Sequence, residues 1–438
     1  MSRRALTVLL GAVLPVAAPA AAHEPAGPAP QAAAPAPAPS ASPAPTLHLR
    51  GGRWFDGERF RPMDWYAVGG KLTARRPARV DAVVDLSGRF VVPPLAETHN
   101  HDLQNAWSAG RNAAAYVARG IFYTAQLCAM PSDVADYRGF LGTAAAPDVL
   151  FADACLSSSD GHPLGIALAG AKQAGMPMTA DDIRDKHYWA VDTLADLDAK
   201  WPRMAEAEPK LVKVILIDSP NYAANRKKPE LFGFNGMDPA VVAAVVERAH
   251  AAGARVAAHV DTGADFANAV AAGVDIVAHL PGYRIDKGKT AADYRIPDAA
   301  VAEAARRGVK VVTTTAASSF AVRRHPAQGP VIDGAYRDNI ARLRAAGVEL
   351  LPGSDMVMGS LLDEIDNLDR LGAMPRAELL RRATTVNARA LFPGRDLGRF
   401  AEGAEASLVA LPSDPLADLS ALRRPALLVK RGRLLGGE

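Results

Sequence analysis

Apolar positions along the chain fall into two regimes. From Leu47 to Val92 they come in short runs broken by turns: LHLRGGRWFDG, WYAVGGKLTARR and ARVDAVVDLSGRFVV. Gly51-Gly52 and Gly69-Gly70 stand at hairpin positions, so this stretch predicts a small β module. After His101 the period lengthens. Helical spacing over Trp107–Arg119 stops at Gly120 and is followed by the apolar run Ile121–Cys128. The alternation then repeats, with helix predicted over Ser132–Ala144 and strand over Val149–Leu156. The polar loop SSSDGHPLG follows, then a long polar helix-like stretch, Thr179–Glu208. Beyond it come strand Leu211–Ile217, helix Pro239–Ala252, strand Arg255–His259, helix Gly263–Ala272, strand Val274–His279, helix Pro297–Arg307 and strand Val309–Thr314. Helix Asp333–Ala346, strand Val348–Pro352 and the helices Leu361–Leu371 and Arg376–Ala390 complete the series. Glycines 253, 273, 308 and 347 stop helices at the expected places.

Continuous apolar strands alternating with amphipathic helices imply a parallel sheet covered on both faces. Counted from Phe90 the strand-like runs number eight, which predicts an α/β fold of the (β/α)8 TIM-barrel type. An open doubly wound sheet is the alternative. The C-terminal stretches SLVALPSDPL and ALLVKRGRLLGG return to β character, so the two ends are expected to pair into a composite β-sandwich domain. The predicted division is a leader over 1–22, a Pro/Ala-rich linker over 23–46, β-sandwich over 47–92 and 393–438, and barrel over 93–392.

In such barrels the chemistry gathers where strands end. Strand one runs through VVPPLAETHNHD into His99 and His101, which share a side because residues i and i+2 of a strand do. Strand four carries Lys213, strand five ends in His259, strand six in His279, and strand eight is followed by Asp355 in LLPGSDM. Imidazole and carboxylate are the donors that zinc and similar ions take. Lys213 is flanked by Leu211, Val212, Val214, Ile215 and Leu216, where an ammonium is costly to bury. Either it snorkels to solvent, or its neutral amine takes up CO2 as a carbamate that bridges two metals.

The set HxH, Lys, His, His, Asp resembles the amidohydrolase superfamily of metal-dependent hydrolases. The matching pieces are VDLSGRFVVPPLAETHNH, LVKVILI, RVAAHVDTG, DIVAHLPG, LLPGSD, ATTVNARAL and LGRFAEGAEASLVALPSDPL with VKRGRLL, from about Leu47 to the end. The resemblance implies a site for two divalent ions, zinc being the first expectation. His99, His101 and Asp355 would hold one, His259 and His279 the other, with a CO2-derived carbamate on Lys213 between them. A strand-four lysine, with Gly161-His162 after strand three and Tyr283 after the strand-six histidine, is similar to the prolidase-like and imidazolonepropionase-related branch. That likeness makes His162 and Tyr283 candidate substrate contacts; a polar loop residue and a packing aromatic are the plainer readings. The family's usual Asp two residues before the first histidine is Glu97 here.

Composition narrows the class. A net charge of +3 with no long basic run excludes nucleic-acid binding as an expectation. Arg3 and Arg4, the apolar run Ala5–Ala18 and small Ala20 and Ala22 read as a secretory leader cut after Ala22. A buried N-terminal helix is the alternative, and the arginine pair also resembles a twin-arginine signal. The run is too short to span a membrane, so the expectation is a periplasmic or secreted protein without a stable membrane anchor. Glu24–Thr46 is nearly all Pro and Ala and is expected to be a disordered spacer. Cys128 and Cys155 are the two cysteines; one disulfide is conceivable, and two buried free thiols is the expectation.

The functional expectation is an exported amide hydrolase for a small molecule such as a dipeptide or N-acyl amino acid. Asp355 would move the proton, and His162 or Tyr283 would steady the oxyanion. The alternatives are cleavage of a cyclic amide, lactone or phosphotriester at the same site, and a non-catalytic exported binding protein. Arg284, Arg323, Arg324 and His325 follow strands six and seven. Any of them could clamp a substrate carboxylate, and solvated surface charge is the plainer reading of each. A homo-oligomer is compatible with the sequence.

Overall fold

The computed structural model describes residues 43–357 and 359–435. The expected leader, and the expected spacer up to residue 42, lie outside the described residues. Eight barrel strands run in parallel and in chain order: Leu95–Asn100, Ile121–Gln126, Asp148–Ser157, Leu211–Leu216, Arg255–Val260, Ile276–Val277, Lys310–Val312 and Leu350–Leu351. A parallel bridge between Asn100 and Met356 joins the last strand's loop to the first strand and closes the ring. A two-residue strand, Trp189–Ala190, extends the third strand's edge.

The strands read as unbroken apolar runs because both faces are covered. On strands four and five, Val212, Val214, Leu216, Val256, Ala258 and Val260 pack outward against the helices. Leu211, Ala257, Ala96, Leu150, Val312 and Leu351 fill the interior. Lys213 alternates with the outward valines and therefore points inward with Leu211. At 2 % exposure it does not snorkel.

Two smaller sheets flank the barrel. One is N-terminal, in the order Lys71–Thr73, Trp65–Val68, Leu47–Arg50, Ala82–Asp85. The other mixes the chain ends, in the order Arg433–Leu435, Leu427–Lys430, Leu408–Leu411, Phe90–Val92, Arg53–Phe55, Phe60–Pro62. Leu49, Trp54, Trp65, Leu72, Val91, Leu408 and Val429 form the core between them. Phe90–Val92 therefore belongs to this module, and the first barrel strand starts at Leu95. Buried Asp148 ties module to barrel, facing Lys430 at 3.1 Å, Arg395 at 2.6 Å and Arg431 at 2.5 Å.

Most predicted helices are present, and helix Gly263–Ala272 has the predicted limits. Four stretches differ. Thr179–Glu208 is not one helix: a helical turn at Ala180–Asp182 and the Trp189–Ala190 strand precede a helix at Leu194–Ala205. Thr193 caps that helix through Asp196 N and so fixes its late start. Ser132–Ala144 holds only short turns, at Pro131–Val134 and Ala135–Tyr137. The end of the SSSDGHPLG loop instead begins an unforeseen helix, Leu164–Gln173. Arg376–Ala390 is interrupted by a wide turn at Arg382–Val386.

The cysteines also differ from expectation: Cys128 and Cys155 form a disulfide, with Cα atoms 4.9 Å apart. Strand three is long enough to carry Cys155 past the end of strand two. Cys128 turns back over it in a left-handed conformation, φ 72°.

Candidate metal centre

Strand one brings His99 to the end of the barrel fully buried. Its Nδ1 lies 2.8 Å from the Ala278 carbonyl oxygen. A carbonyl only accepts, so Nδ1 carries the proton and Nε2 offers a lone pair. That Nε2 lies 3.3 Å from His101 Nε2, 3.1 Å from Asp355 Oδ1 and 3.2 Å from Lys213 Nζ. His101 Nε2 is 3.2 Å from the same Asp355 oxygen. The three candidate donor atoms of His99, His101 and Asp355 all lie within 4.8 Å of one another. Two ring nitrogens aimed at each other and at one carboxylate oxygen make poor hydrogen-bond geometry and good ligand geometry.

On the other side, the His259 and His279 rings meet edge to face at 4.2 Å, and His279 lies 5.3 Å from His99. His279 Nε2 is buried with no hydrogen-bond partner among the described residues. An orphaned buried nitrogen is costly, and a bound cation would satisfy it. The donors thus fit a divalent ion beside His99, His101 and Asp355, and offer His259, His279 and Lys213 next to it.

Burial sets the electrostatics. It lowers the His99 pKa to about 4 against the pull of Asp355, and drives His279 well below the usual histidine range. Both rings are therefore neutral and able to ligate at neutral pH. Lys213 is lowered by burial to about 8, with Asp355 opposing, which gives a fraction of free amine. Burial also acts to raise Asp355, but His99, His101 and His279 outweigh it and hold the carboxylate well below its usual range.

Asp355 is placed by its backbone. Its N–H donates to the His99 carbonyl at 2.9 Å and its φ is 49°, a left-handed conformation uncommon outside glycine. Gly353 before it is obligatory: a Cβ there would meet Thr98 Oγ1 at 2.5 Å and Val312 Cγ1 at 2.6 Å. Cys128, Asp218 and Thr314 are likewise left-handed just past strands two, four and seven, so backbone strain gathers on this rim.

A family model described as the amidohydrolase family matches residues 206–435, more than half of the chain. The chain belongs to the amidohydrolase family. Curated relatives include uncharacterized proteins of Mycobacterium tuberculosis (strain ATCC 25618 / H37Rv) and Mycobacterium bovis, each 29% identical over 210 residues, 45% of this chain and 52% of theirs. The chain thus spans about half the length of the curated relatives it matches. Among solved structures, a prolidase complexed with N-methylphosphonate-L-proline has a TM-score of 0.68 at 21% identity, over 90% of this chain and 100% of that one. A Xaa-Pro dipeptidase with bound methionine gives 0.69 at 19%, over 90% and 99%. Aspergillus niger ochratoxinase gives 0.69 at 18%, over 91% and 97%. At these identities the likeness is one of fold.

In this member of the family Glu97 laces the ends of strands one and eight, which bring the candidate ligands His99, His101 and Asp355 together. Its Oε1 accepts from His99 N at 3.0 Å and Ser354 N at 2.9 Å. Burial raises its carboxyl to about 8 against those bonds. The longer side chain still supports the residues on both sides of the site. His162 stacks on His259 with centroids 5.1 Å apart, and Tyr283 lies 6.5 Å from His279. The loop bearing His162 is fixed by the backbone bond from His162 N to Asn235 O and by Arg226, which contacts Asp160 at 3.2 Å and Asp192 at 2.9 Å. Arg323, Arg324 and His325 are exposed on and after a short helix, Ser319–Arg324.

Sequence reasoning missed Asp261, which is buried with its Oδ1 2.9 Å from His259 Nε2. The rule that paired His99 with His101 applies equally to His259 and Asp261, two residues apart at a strand end. It also missed Asp265, whose carboxylate accepts from Asp218 N, Ser219 N, Ser219 Oγ, Thr262 N and Thr262 Oγ1 and locks the ends of strands four and five together.

Proposed function

We propose that this chain is an exported, metal-dependent amidohydrolase that cleaves the C–N bond of a small substrate such as a dipeptide or N-acyl amino acid. The observation that carries the reading is the convergence of His99, His101 and Asp355 at contact distance, with Lys213, His259 and His279 alongside. His99, His101 and Asp355 would hold one divalent ion. His259, His279 and a carbamate formed on Lys213 would complete a second site. Zinc suits these donors. Such ions supply Lewis acidity toward a carbonyl oxygen and acidify water.

The chain's own groups do the rest. Asp355 turns Oδ1 to the two imidazoles, which leaves Oδ2 to take a proton from attacking water and return it to the leaving nitrogen. An amide needs that delivery because an amide anion is a poor leaving group. Tyr283, kept protonated by burial well above the ordinary phenol range, and His162, stacked on His259, are the donors for a developing oxyanion. Neighbours of the same fold that are named prolidase and Xaa-Pro dipeptidase support the substrate class. The leader-like residues 1–22 support export, as does the Cys128–Cys155 disulfide, since such bonds persist in oxidising compartments. Among the described residues no helix is long and apolar enough to cross a membrane.

The deciding experiment measures bound metal and hydrolysis of a panel of dipeptides and N-acyl amino acids by wild type and Asp355→Asn. The reading expects metal in wild type and turnover of at least one compound. It expects the variant to lose about 10³-fold or more in kcat. Full activity in Asp355→Asn, or a metal-loaded wild type that cleaves no amide in the panel, rejects it.

A further inference from the structure

Arg284 follows the strand-six histidine and is unlike the other cations of the rim. Its Nε donates to Asp286 Oδ1 at 2.6 Å, its Nη2 lies 3.5 Å from Asp261 Oδ2, and its guanidinium lies over the Tyr283 ring at 4.8 Å. Asp261 in turn holds His259 through its other oxygen. The guanidinium is thus fixed on two edges and one face, and it stands one carboxylate away from a metal-site histidine. Its Nη1 makes no hydrogen bond among the described residues, and the side chain is 42% exposed. Arg226, by contrast, is spent on Asp160, Asp192, Ser159 and Tyr222. Arg323 is exposed and stacks on Phe320 at 4.7 Å.

We propose that Arg284 is a specificity residue of the site, anchoring a carboxylate carried by the substrate through its open Nη edge. The proposal rests on the amide-hydrolase reading and narrows it to amides whose nitrogen bears a nearby carboxylate. In an N-acyl amino acid only the amide nitrogen and Cα separate the scissile carbonyl carbon from the carboxylate carbon, a span of about 3.5 Å. Arg284 contacts Asp261, which bonds His259, so the cation stands one side chain from the candidate ligands. A guanidinium already oriented by Asp286, Asp261 and Tyr283 loses little freedom on binding, which favours a planar, two-point partner such as carboxylate.

The test compares N-acyl amino acids with the matching N-acyl amino alcohols, in which a neutral CH2OH replaces the carboxylate. Wild type, Arg284→Met and Arg284→Lys are assayed, each checked for metal content and cooperative unfolding. Wild type is expected to prefer the acid by about 30-fold or more in kcat/KM. Arg284→Met should bring the acid-to-alcohol ratio within about threefold, mainly through KM, and Arg284→Lys should recover part of it. A wild type that cleaves acid and alcohol equally overturns the anchor and leaves the amidase reading standing; so does an Arg284→Met that keeps the preference. If nothing is cleaved, the amidase reading fails by itself. The anchor is then judged by calorimetric binding of the same compounds, where tighter binding of acid than alcohol, lost in Arg284→Met, supports it and equal binding overturns it.

Discussion

His259 donates its Nε2–H to Asp261 Oδ1 across 2.9 Å, with both side chains buried. Burial acts to raise the Asp261 carboxyl, but the bond from His259 and the charges around it hold its pKa below the usual value. The carboxylate is therefore ionised and accepts, so the proton sits on Nε2 and His259 offers Nδ1 to a metal. His99 is the mirror case: Nδ1 is tied to Ala278 O and Nε2 faces His101, Asp355 and Lys213. Each ring's hydrogen bond selects its donor atom. Asp261→Asn, whose amide can present an N–H where an acceptor is needed, should weaken retention of a divalent ion at the proposed site by about 10- to 100-fold. A chelator competition assay at fixed pH reads this directly, and unchanged affinity would remove Asp261 from the metal centre.

Lys213 is buried in the barrel interior and its Nζ meets only His99 Nε2 among the described residues. Compared metal-free, Lys213→Met should fold with no loss of stability, since it replaces a buried amine with an apolar chain of similar length. The same variant should bind less metal than wild type. Elemental analysis of protein prepared with and without bicarbonate checks this. Equal metal content in variant and wild type would show that the lysine holds no ion.

Glu364, on the helix Leu361–Arg370, accepts from Thr313 Oγ1, Thr315 Oγ1 and Ala316 N and so shapes the end of strand seven. Burial raises its carboxyl from 4.5 to about 7 despite those bonds. A group whose folded pKa is raised contributes its full stabilisation below the unfolded value and loses it as pH rises through the folded value. Wild-type stability should therefore fall between about pH 4.5 and pH 7 through this group. Glu364→Gln, which cannot ionise, should flatten that slope. Urea midpoints at pH 5.5 and pH 8 compare the two proteins; identical pH slopes would contradict the assignment.

The Cys128–Cys155 bond closes a 27-residue separation. Replacing both cysteines with serine should cost about 3–4 kcal/mol by loop-closure entropy. Reductant should lower the unfolding midpoint of wild type and leave the double variant unaffected. Denaturation with and without dithiothreitol reads both expectations.

Much of this protein was legible because it depends on backbone period alone. Alternation put His99 and His101 on one side, continuous apolar runs marked buried parallel strands, one of them carrying Lys213, and strand ends located His259, His279 and Asp355. Capping and glycine stops fixed the helix Gly263–Ala272 to the residue. What failed depended on cross-chain contact. A cap at Thr193 and an extra strand at Trp189 divided the stretch read as one helix. The pairing of Cys128 with Cys155 required the overhang of strand three past strand two, which no local pattern encodes. The bond from Asp355 N to His99 O, and Glu97 bridging His99 to Ser354, exist only because the last strand closes on the first. By itself the sequence determined which side chains stand at the ends of strands, since periodicity is a property of neighbouring residues. Only the tertiary structure decided which ring nitrogen of His99 and of His259 faces the site, because that choice is made by hydrogen bonds to Ala278 O and Asp261 Oδ1, groups that the barrel brings together.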